Sequence, residues 1–262
     1  MKTVTVLGSC RIHHPIRHLD AVGLVRTDNT GTRGYIHSLG EAVQLISCPQ
    51  GRERLDPATR LFTEPACLAD IDGGAATPHE DTDLFIVEVS SIKEFILGAQ
   101  YIQMNMLQKF LKDLDAHAYF VMLCDLMRAK KGAFVKLPTL CDNMGETPRS
   151  IFMSLSGIIL TFDLLVWRLK ALRALLQKPV LLVTHIAAPG TEGDMLAAFA
   201  NRLEGIAMLR EAGCRLGIPV AEPGEFVAAH GTDKAMRNSY HYQEDFLPQL
   251  GHWLYTRFIR DM

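Results

Sequence analysis

The sequence has no basic excess: 27 Lys and Arg stand against 29 Asp and Glu, a net charge of -2. Sequence-independent nucleic-acid binding draws its affinity from clustered cations, so nucleic acid is excluded as a general partner and only a local basic pocket is left open. Internal repeats and low-complexity tracts are also missing, which excludes a solenoid and a disordered tail. Cysteine pairs at metal or redox spacing are absent too. The six cysteines fall at 10, 48, 67, 124, 141 and 214, none closer than seventeen positions to the next, so neither a zinc ribbon nor a thioredoxin-like pair is written here. They are expected to be reduced, and most of them buried. The opening Met-Lys-Thr-Val-Thr-Val-Leu-Gly lacks the charged, apolar and small-residue regions of a secretory signal, and the expected location is cytoplasmic. A clean membrane-length apolar run is lacking as well. The nearest approach, Ile151 to Trp167, is broken by Ser154, Ser156, Gly157, Thr161 and Asp163, then continues past Arg168 and Arg173 with apolar residues at helical spacing. It reads as a buried helix reaching residue 177, a face through which a homo-oligomer can form.

What is present is an ordinary globular composition, 48% hydrophobic and 21% charged over 262 residues, enough for one large core with insertions. Val4–Leu7 is a β-branched strand ending at Gly8, and a helix-like run follows from Gly40 to Ile46. Residues 48–82 read mainly as loop, with a short helix around Pro57–Phe62. Asp83–Val89 is a continuous apolar strand of the kind buried on both faces of a parallel sheet. A helix is expected over Asn105–Leu114 and a strand over Tyr119–Leu123. Asp125–Arg149 has neither period and reads as a lid or insertion, with a plain solvated loop as the alternative. Pro179–Thr184 is the clearest strand, Asp194–Leu216 a helix, Pro219-Val220 a last short strand and Leu247–Ile259 a closing helix. Strands alternating with helices predict a single α/β domain over 1–262: three layers, with a central parallel sheet covered on both faces.

Ligands of such open sheets bind beyond the carboxyl ends of the strands. The residues there are Gly8-Ser9-Cys10, Glu88 with Ser90-Ser91, Cys124-Asp125 and Thr184-His185. A strand running into a sharp Gly-Ser-Cys turn and then a helix sets the Cys10 thiol near free backbone N–H groups. Those groups favour a thiolate and can hold a tetrahedral oxyanion. Ser9 is the nucleophile if the turn is offset by one residue. Near the other terminus, His241 lies in a loop before the closing helix, where it can reach back as general base. Asn238, three residues earlier, can fix its Nδ1 tautomer, with Asp233 as second choice. His13, His14 and His18, with His37, do not make a recognisable metal pattern, since no carboxylate or thiol accompanies them and Pro15 interrupts the helix start; no metal is expected. Glu88, ending an apolar strand, must be paired or hydrogen-bonded if buried, and it can orient His37 or His185.

The two ends together resemble the SGNH or GDSL hydrolase superfamily, whose first block is a strand followed by Gly-Asp-Ser and whose last is Asp-x-x-His before a terminal helix. Thr3-Val-Thr-Val-Leu-Gly8-Ser9-Cys10 matches the first, with Ser9 in the Asp place and Cys10 in the nucleophile place. Asn238-x-x-His241 matches the last, with Asn in the Asp place. The resemblance is closest to the cysteine-bearing branches, such as the GSCFA family and capsule-biosynthesis proteins that bind coenzyme A and carry Gly-Asn-Cys. It implies acyl transfer, by an esterase or an acyltransferase, on a carbohydrate or thioester in surface-polysaccharide or related biosynthesis. The family's oxyanion hole also uses a Gly and an Asn. Gly34, His37 or Ser38 stands for the first, and Glu88 or Ser90 for the second.

No cofactor is required by that chemistry. Coenzyme A or an acyl thioester is the implied donor, with Arg128, Lys130 and Lys131 as candidate ligands of its phosphates. The departures at Ser9 and Asn238 keep a second reading in play, a non-catalytic protein that binds coenzyme A or an acyl ligand in the same crevice.

Overall fold

In a computed structural model of the chain, the described residues are 1–30, 32, 34–48, 52–63, 68, 79–136, 146–187, 196–238 and 241–262. Five short strands build the central sheet: β1 (Lys2–Leu7), β2 (Val25–Thr27), β3 (Leu84–Val89), β8 (Val180–Thr184) and β9 (Val220–Ala221). All neighbours are parallel, in the order β2-β1-β3-β8-β9. Alternate residues of each strand point to opposite faces. Val4, Val6, Leu84, Ile86, Leu181 and Val183 therefore join one core with the first helix, α1 (Cys10–Ala21), and the closing helix Leu247–Leu254. Leu7, Phe85, Val87, Val180 and Leu182 join the other, with α2 (Leu39–Ser47) and the helix Phe162–Leu176. This is the expected parallel sheet covered by helices on both faces. No described helix is long and apolar enough to cross a membrane.

A second, four-stranded antiparallel sheet was not anticipated. It is ordered β5-β4-β7-β6, from β4 (Lys93–Leu97), β5 (Gln100–Ile102), β6 (Val135–Lys136) and β7 (Leu155–Ile159). Its presence corrects the reading of 151–177 as one helix. That segment is the end of the helix Glu146–Ser154, then β7, then the helix Phe162–Leu176. All five residues of β7 are buried, so the apolar run there is explained by a strand flanked on both edges. The expected strand Tyr119–Leu123 is likewise corrected to part of a helix, His117–Ala129. Its buried residues Phe120, Leu123, Cys124 and Met127 recur at i, i+3, i+4 and i+7, a stripe that five residues alone are too few to display.

The span 125–149 is less irregular than its composition suggests. It holds the end of that helix, β6 and the start of Glu146–Ser154, while 137–145 lie outside the described residues. Of the described cysteines, all four are free; Cys48 and Cys124 are buried as expected, Cys10 is half-buried and Cys214 is exposed. Cys67 and Cys141 lie outside the described residues.

The closing helix packs directly on α1. Gly251 of the closing helix passes so close to α1 that an added Cβ lies 2.6 Å from the Pro15 carbonyl oxygen. Backbone cannot yield as a side chain does. Gly251→Ala is expected to lower stability by about 1–3 kcal/mol, the usual range for overpacking. At Gly157 the intruding atom faces Met127 Sδ, part of a flexible side chain, at 2.5 Å, and Gly157→Ala is expected to cost under about 1 kcal/mol. Urea unfolding of both variants checks the difference; equal losses would contradict the packing argument.

Candidate active site

Between β1 and β3 the sheet reverses its winding, because β2 lies on one side of β1 and β3, β8 and β9 on the other. A crevice opens at the carboxyl ends of strands at such a point. The first turn at this place is tight for a steric reason. A Cβ on Gly8 would lie 2.6 Å from Ile12 Cγ2 and 2.7 Å from Glu88 Cβ, so only glycine lets β1 and β3 approach there. Ser9 then caps α1, its hydroxyl oxygen accepting from the Arg11 N–H at 3.3 Å.

Glu88, buried at the end of β3, is the centre of the arrangement. Its Oε2 accepts from the Ser9 backbone N–H at 2.8 Å and from the Ser9 hydroxyl at 2.6 Å. Its Oε1 accepts from Arg11 Nε at 3.0 Å. Arg11 reaches onward with Nη1 to His185 Nε2 at 2.9 Å, and His185 Nδ1 lies 2.7 Å from the Ile186 carbonyl oxygen. A guanidinium only donates and a carbonyl only accepts. His185 is thereby held neutral, with its proton on Nδ1 and its lone pair committed to Arg11. Burial, with Arg11 adding to it, drives the ring's pKa well below the usual histidine value. Glu88 thus orients His185 through Arg11, whereas His37 is placed by other groups.

His37 sits in the loop before α2. Its Nδ1 is 3.2 Å from Ser90 Oγ, and its Nε2 is 3.0 Å from Asn105 Nδ2. Its carbonyl oxygen accepts from the N–H groups of Ser90 and Ser91 at 3.1 and 2.9 Å. Burial lowers its pKa. Ser38, by contrast, caps α2 and donates to Glu41 at 3.0 Å, so its hydroxyl serves the helix. Gly34 is buried two residues before Ile36, whose N–H donates to the Gly8 carbonyl at 3.0 Å. Asn105, near the start of the helix Met104–Asp113, was missed by the sequence reading. Its place beside His37 depends on β4 and β5, which were not foreseen.

The C-terminal pair lies on a short antiparallel ladder, β10 (Met236–Asn238) with β11 (His241–Tyr242). Asn238 Oδ1 accepts from the His241 backbone N–H at 2.9 Å and from its Nδ1 at 3.0 Å. An amide oxygen only accepts, so Nδ1 carries the proton and Nε2 offers a lone pair. Asp233 lies in the short helix Thr232–Ala235, and the partner of Nδ1 is Asn238.

Two cavities meet here. The larger, about 520 Å³, is lined by Ser9, Cys10, Arg11, His37, Ser90, His185 and His241, together with Lys93, Asn105 and Arg202. The smaller, about 240 Å³, is lined by Cys10, Arg11, His14, Arg237, His241, Tyr242, Glu244 and Leu247. Cys10, Arg11 and His241 form walls of both.

Other expected residues fall elsewhere. Arg128 pairs with Asp125, and Lys131 with Glu204. Neither of them, nor Lys130, lines either cavity. His13 is buried on the inner side of α1, edge-on to Tyr35, and burial takes its pKa down to about 4. Among the described residues no three His, Cys, Asp or Glu side chains are grouped to hold a metal.

One electrostatic expectation is reversed. The N–H groups of Cys10 and Arg11 and the Arg11 charge do favour a thiolate at Cys10, but burial outweighs them and Glu88 adds to it, so the thiol's pKa is raised.

The fold and this crevice define an α/β protein with a cysteine and a histidine on a shared wall at the switch point of a doubly wound parallel sheet. The chain belongs to the TviD N-terminal domain family, whose model matches residues 2–257. It is 21% identical over 256 residues to the Vi polysaccharide biosynthesis protein TviD of Salmonella typhi, covering 94% of this chain and 30% of that protein. The chain therefore spans under a third of that relative's length. A solved structure of an Agrobacterium tumefaciens protein, described as a "putative arylesterase", aligns with a TM-score of 0.38 at 14% identity, over 100% of this chain and 99% of the other.

Two outcomes follow from the geometry. Glu88→Gln leaves the buried Arg11 without its counter-charge and is expected to cost about 3–5 kcal/mol in urea unfolding; a loss below about 1 kcal/mol would mean that Arg11 finds other solvation. Alkylation of Cys10 by iodoacetamide should be slow at pH 7 and climb with pH through a midpoint above that of an ordinary cysteine, about 8.5, because only the thiolate reacts. A rate already at its plateau below pH 7 would reveal a stabilised thiolate and contradict the burial argument.

Proposed function

We propose that the chain is an acyl-transfer enzyme, an esterase or acyltransferase, in which Cys10 is the nucleophile, His241 the general base and Asn238 the residue that orients it. The observation that carries this reading is that Cys10 and His241 line both cavities, with the His241 lone pair left available by Asn238. A group held on Cys10 would face one chamber on each side. Ser9 suits the nucleophile role less well, since its buried hydroxyl donates to Glu88 and accepts from the Arg11 N–H.

In the proposed reaction, His241 Nε2 takes the thiol proton as Cys10 Sγ bonds to the carbonyl carbon of an ester or thioester. The Cys10 N–H contributes to holding the oxyanion. Collapse breaks the bond to the leaving group, which takes the proton from His241, and leaves a thioester on Cys10. An acceptor hydroxyl, or water, then gives its proton to His241 and attacks that thioester. Cys10 Sγ departs and recovers the proton. A thiol with a raised pKa fits this mechanism only if proton removal accompanies attack, which is the part of general base catalysis that His241 supplies.

The name of the Salmonella typhi relative supports a place in polysaccharide biosynthesis; a carbohydrate hydroxyl as acceptor and a coenzyme A thioester as donor belong to the proposal itself. The raised thiol pKa favours the second reading, a protein that binds an acyl ligand without turnover.

Incubation with acetyl-coenzyme A or p-nitrophenyl acetate, followed by intact mass measurement, tests both. The enzyme reading expects one added acyl group, absent in Cys10→Ala, and formed about 10²–10⁴-fold more slowly in His241→Ala. An adduct retained in Cys10→Ala and lost in Ser9→Ala would move the nucleophile to Ser9. Ligand binding with no adduct in the unmodified chain would favour the binding protein.

A further inference from the structure

We infer that the larger cavity is an anion-recognising chamber, in which the Lys93 ammonium meets a carboxylate or phosphate carried by the reaction partner that enters from that side. This rests on the acyl-transfer reading only in calling the ligand a reaction partner; the charge argument stands on the cavity itself. Three cationic side chains, Arg11, Lys93 and Arg202, line the cavity, and among the described residues no Asp or Glu does. The smaller cavity differs, having Glu244 beside Arg237. Asymmetry of charge between two chambers that share Cys10 and His241 assigns the anionic partner to the larger one.

Lys93 carries the inference because Arg11 is already matched and Arg202 is engaged as well. Arg11 is held by Glu88 and by His185. Lys93 stands at the start of β4, half-buried, and makes no ion pair among the described residues. The titratable groups near it are Asp125, Arg128 and the Cys124 thiol. Asp125 is paired with Arg128, and Cys124 is buried with burial keeping its thiol protonated, so neither provides Lys93 with a dedicated counter-ion. The adjoining walls include Ile92 and Phe120, both buried. An ammonium partly withdrawn from water beside apolar walls gains from an anionic oxygen that restores both charge balance and hydrogen bonding. Arg128, Lys130 and Lys131, the phosphate-binding candidates in the sequence, do not line this space. The recognised chemistry is a single anionic oxygen group on a larger molecule, and its two sources, an acidic sugar or a phosphorylated one, differ only in the acid.

Calorimetry on the whole chain at low salt, with glucuronate, glucose 6-phosphate and neutral glucose as probes, separates these cases. One of the two anions is expected to bind about tenfold or more tightly than glucose, and its affinity should fall as sodium chloride is raised. The tighter of the two names the acid. Lys93→Met should weaken that anion by about tenfold while leaving glucose unchanged, and Lys93→Arg should retain most of the affinity. Glucose binding as tightly as both anions overturns the inference, as does unchanged anion affinity in Lys93→Met. If Lys93→Met does not melt cooperatively, Lys93→Gln and the probe preference of the unmodified chain decide. Anion binding is expected to persist in Cys10→Ala; in the unmodified chain, a failure of acylation with anion binding intact removes the mechanism and leaves the chamber, whereas the reverse result removes the chamber alone.

Discussion

The buried carboxylate of Glu88 is the constraint on which the site depends. It sits at the end of β3 and accepts from the backbone and side chain of Ser9, at the end of β1, and from Arg11 in the first turn of α1. Through Arg11 and His185 the same network reaches the end of β8. One charge thus ties together three adjacent strand ends and sets the first turn of the helix that carries Cys10. A buried carboxylate is tolerable only when its oxygens are satisfied, and three donors with one matching cation meet that demand. Gly8 completes the arrangement sterically, since any side chain there would collide with Glu88 itself.

That same carboxylate disfavours a free thiolate at Cys10. The turn needs Glu88 buried nearby, and burial together with that negative neighbour raises the pKa of the Cys10 thiol. His241 lines both cavities with Cys10 from a separate ladder, with its tautomer set by Asn238, which leaves its Nε2 lone pair uncommitted by that contact. Ser9 and Glu88 are buried, whereas His241 is exposed, so the two ends of the site differ in solvent access.

Much of this was legible in the residues. The strands β1, β3 and β8 announce themselves as β-branched apolar runs, and the Gly8-Ser9-Cys10 turn and the three-residue spacing from Asn238 to His241 are visible by eye. Glu88 was visible as a carboxylate that must find partners, though not which ones. Other parts were not legible. Phe120, Leu123, Cys124 and Met127 form a helical stripe that a five-residue window mistakes for a strand. Residues 151–177 merge three elements because a strand covered by neighbours and a buried helix are equally apolar. β4, at only five residues, gains its identity from pairing with β5 and β7.

What the sequence determined by itself was local: where the chain turns, which runs are buried on both faces, and which acceptor lies within reach of which histidine. Those follow from steric preference and short-range hydrogen bonding, which depend on a few successive residues. What the tertiary structure decided was pairing across the chain: Arg11 with Glu88 and His185, Asn105 with His37, and Lys93, rather than Arg128, Lys130 and Lys131, on the cavity wall. A charged side chain has its meaning set by the groups that face it after folding, and those lie from 68 to 174 positions away in the chain.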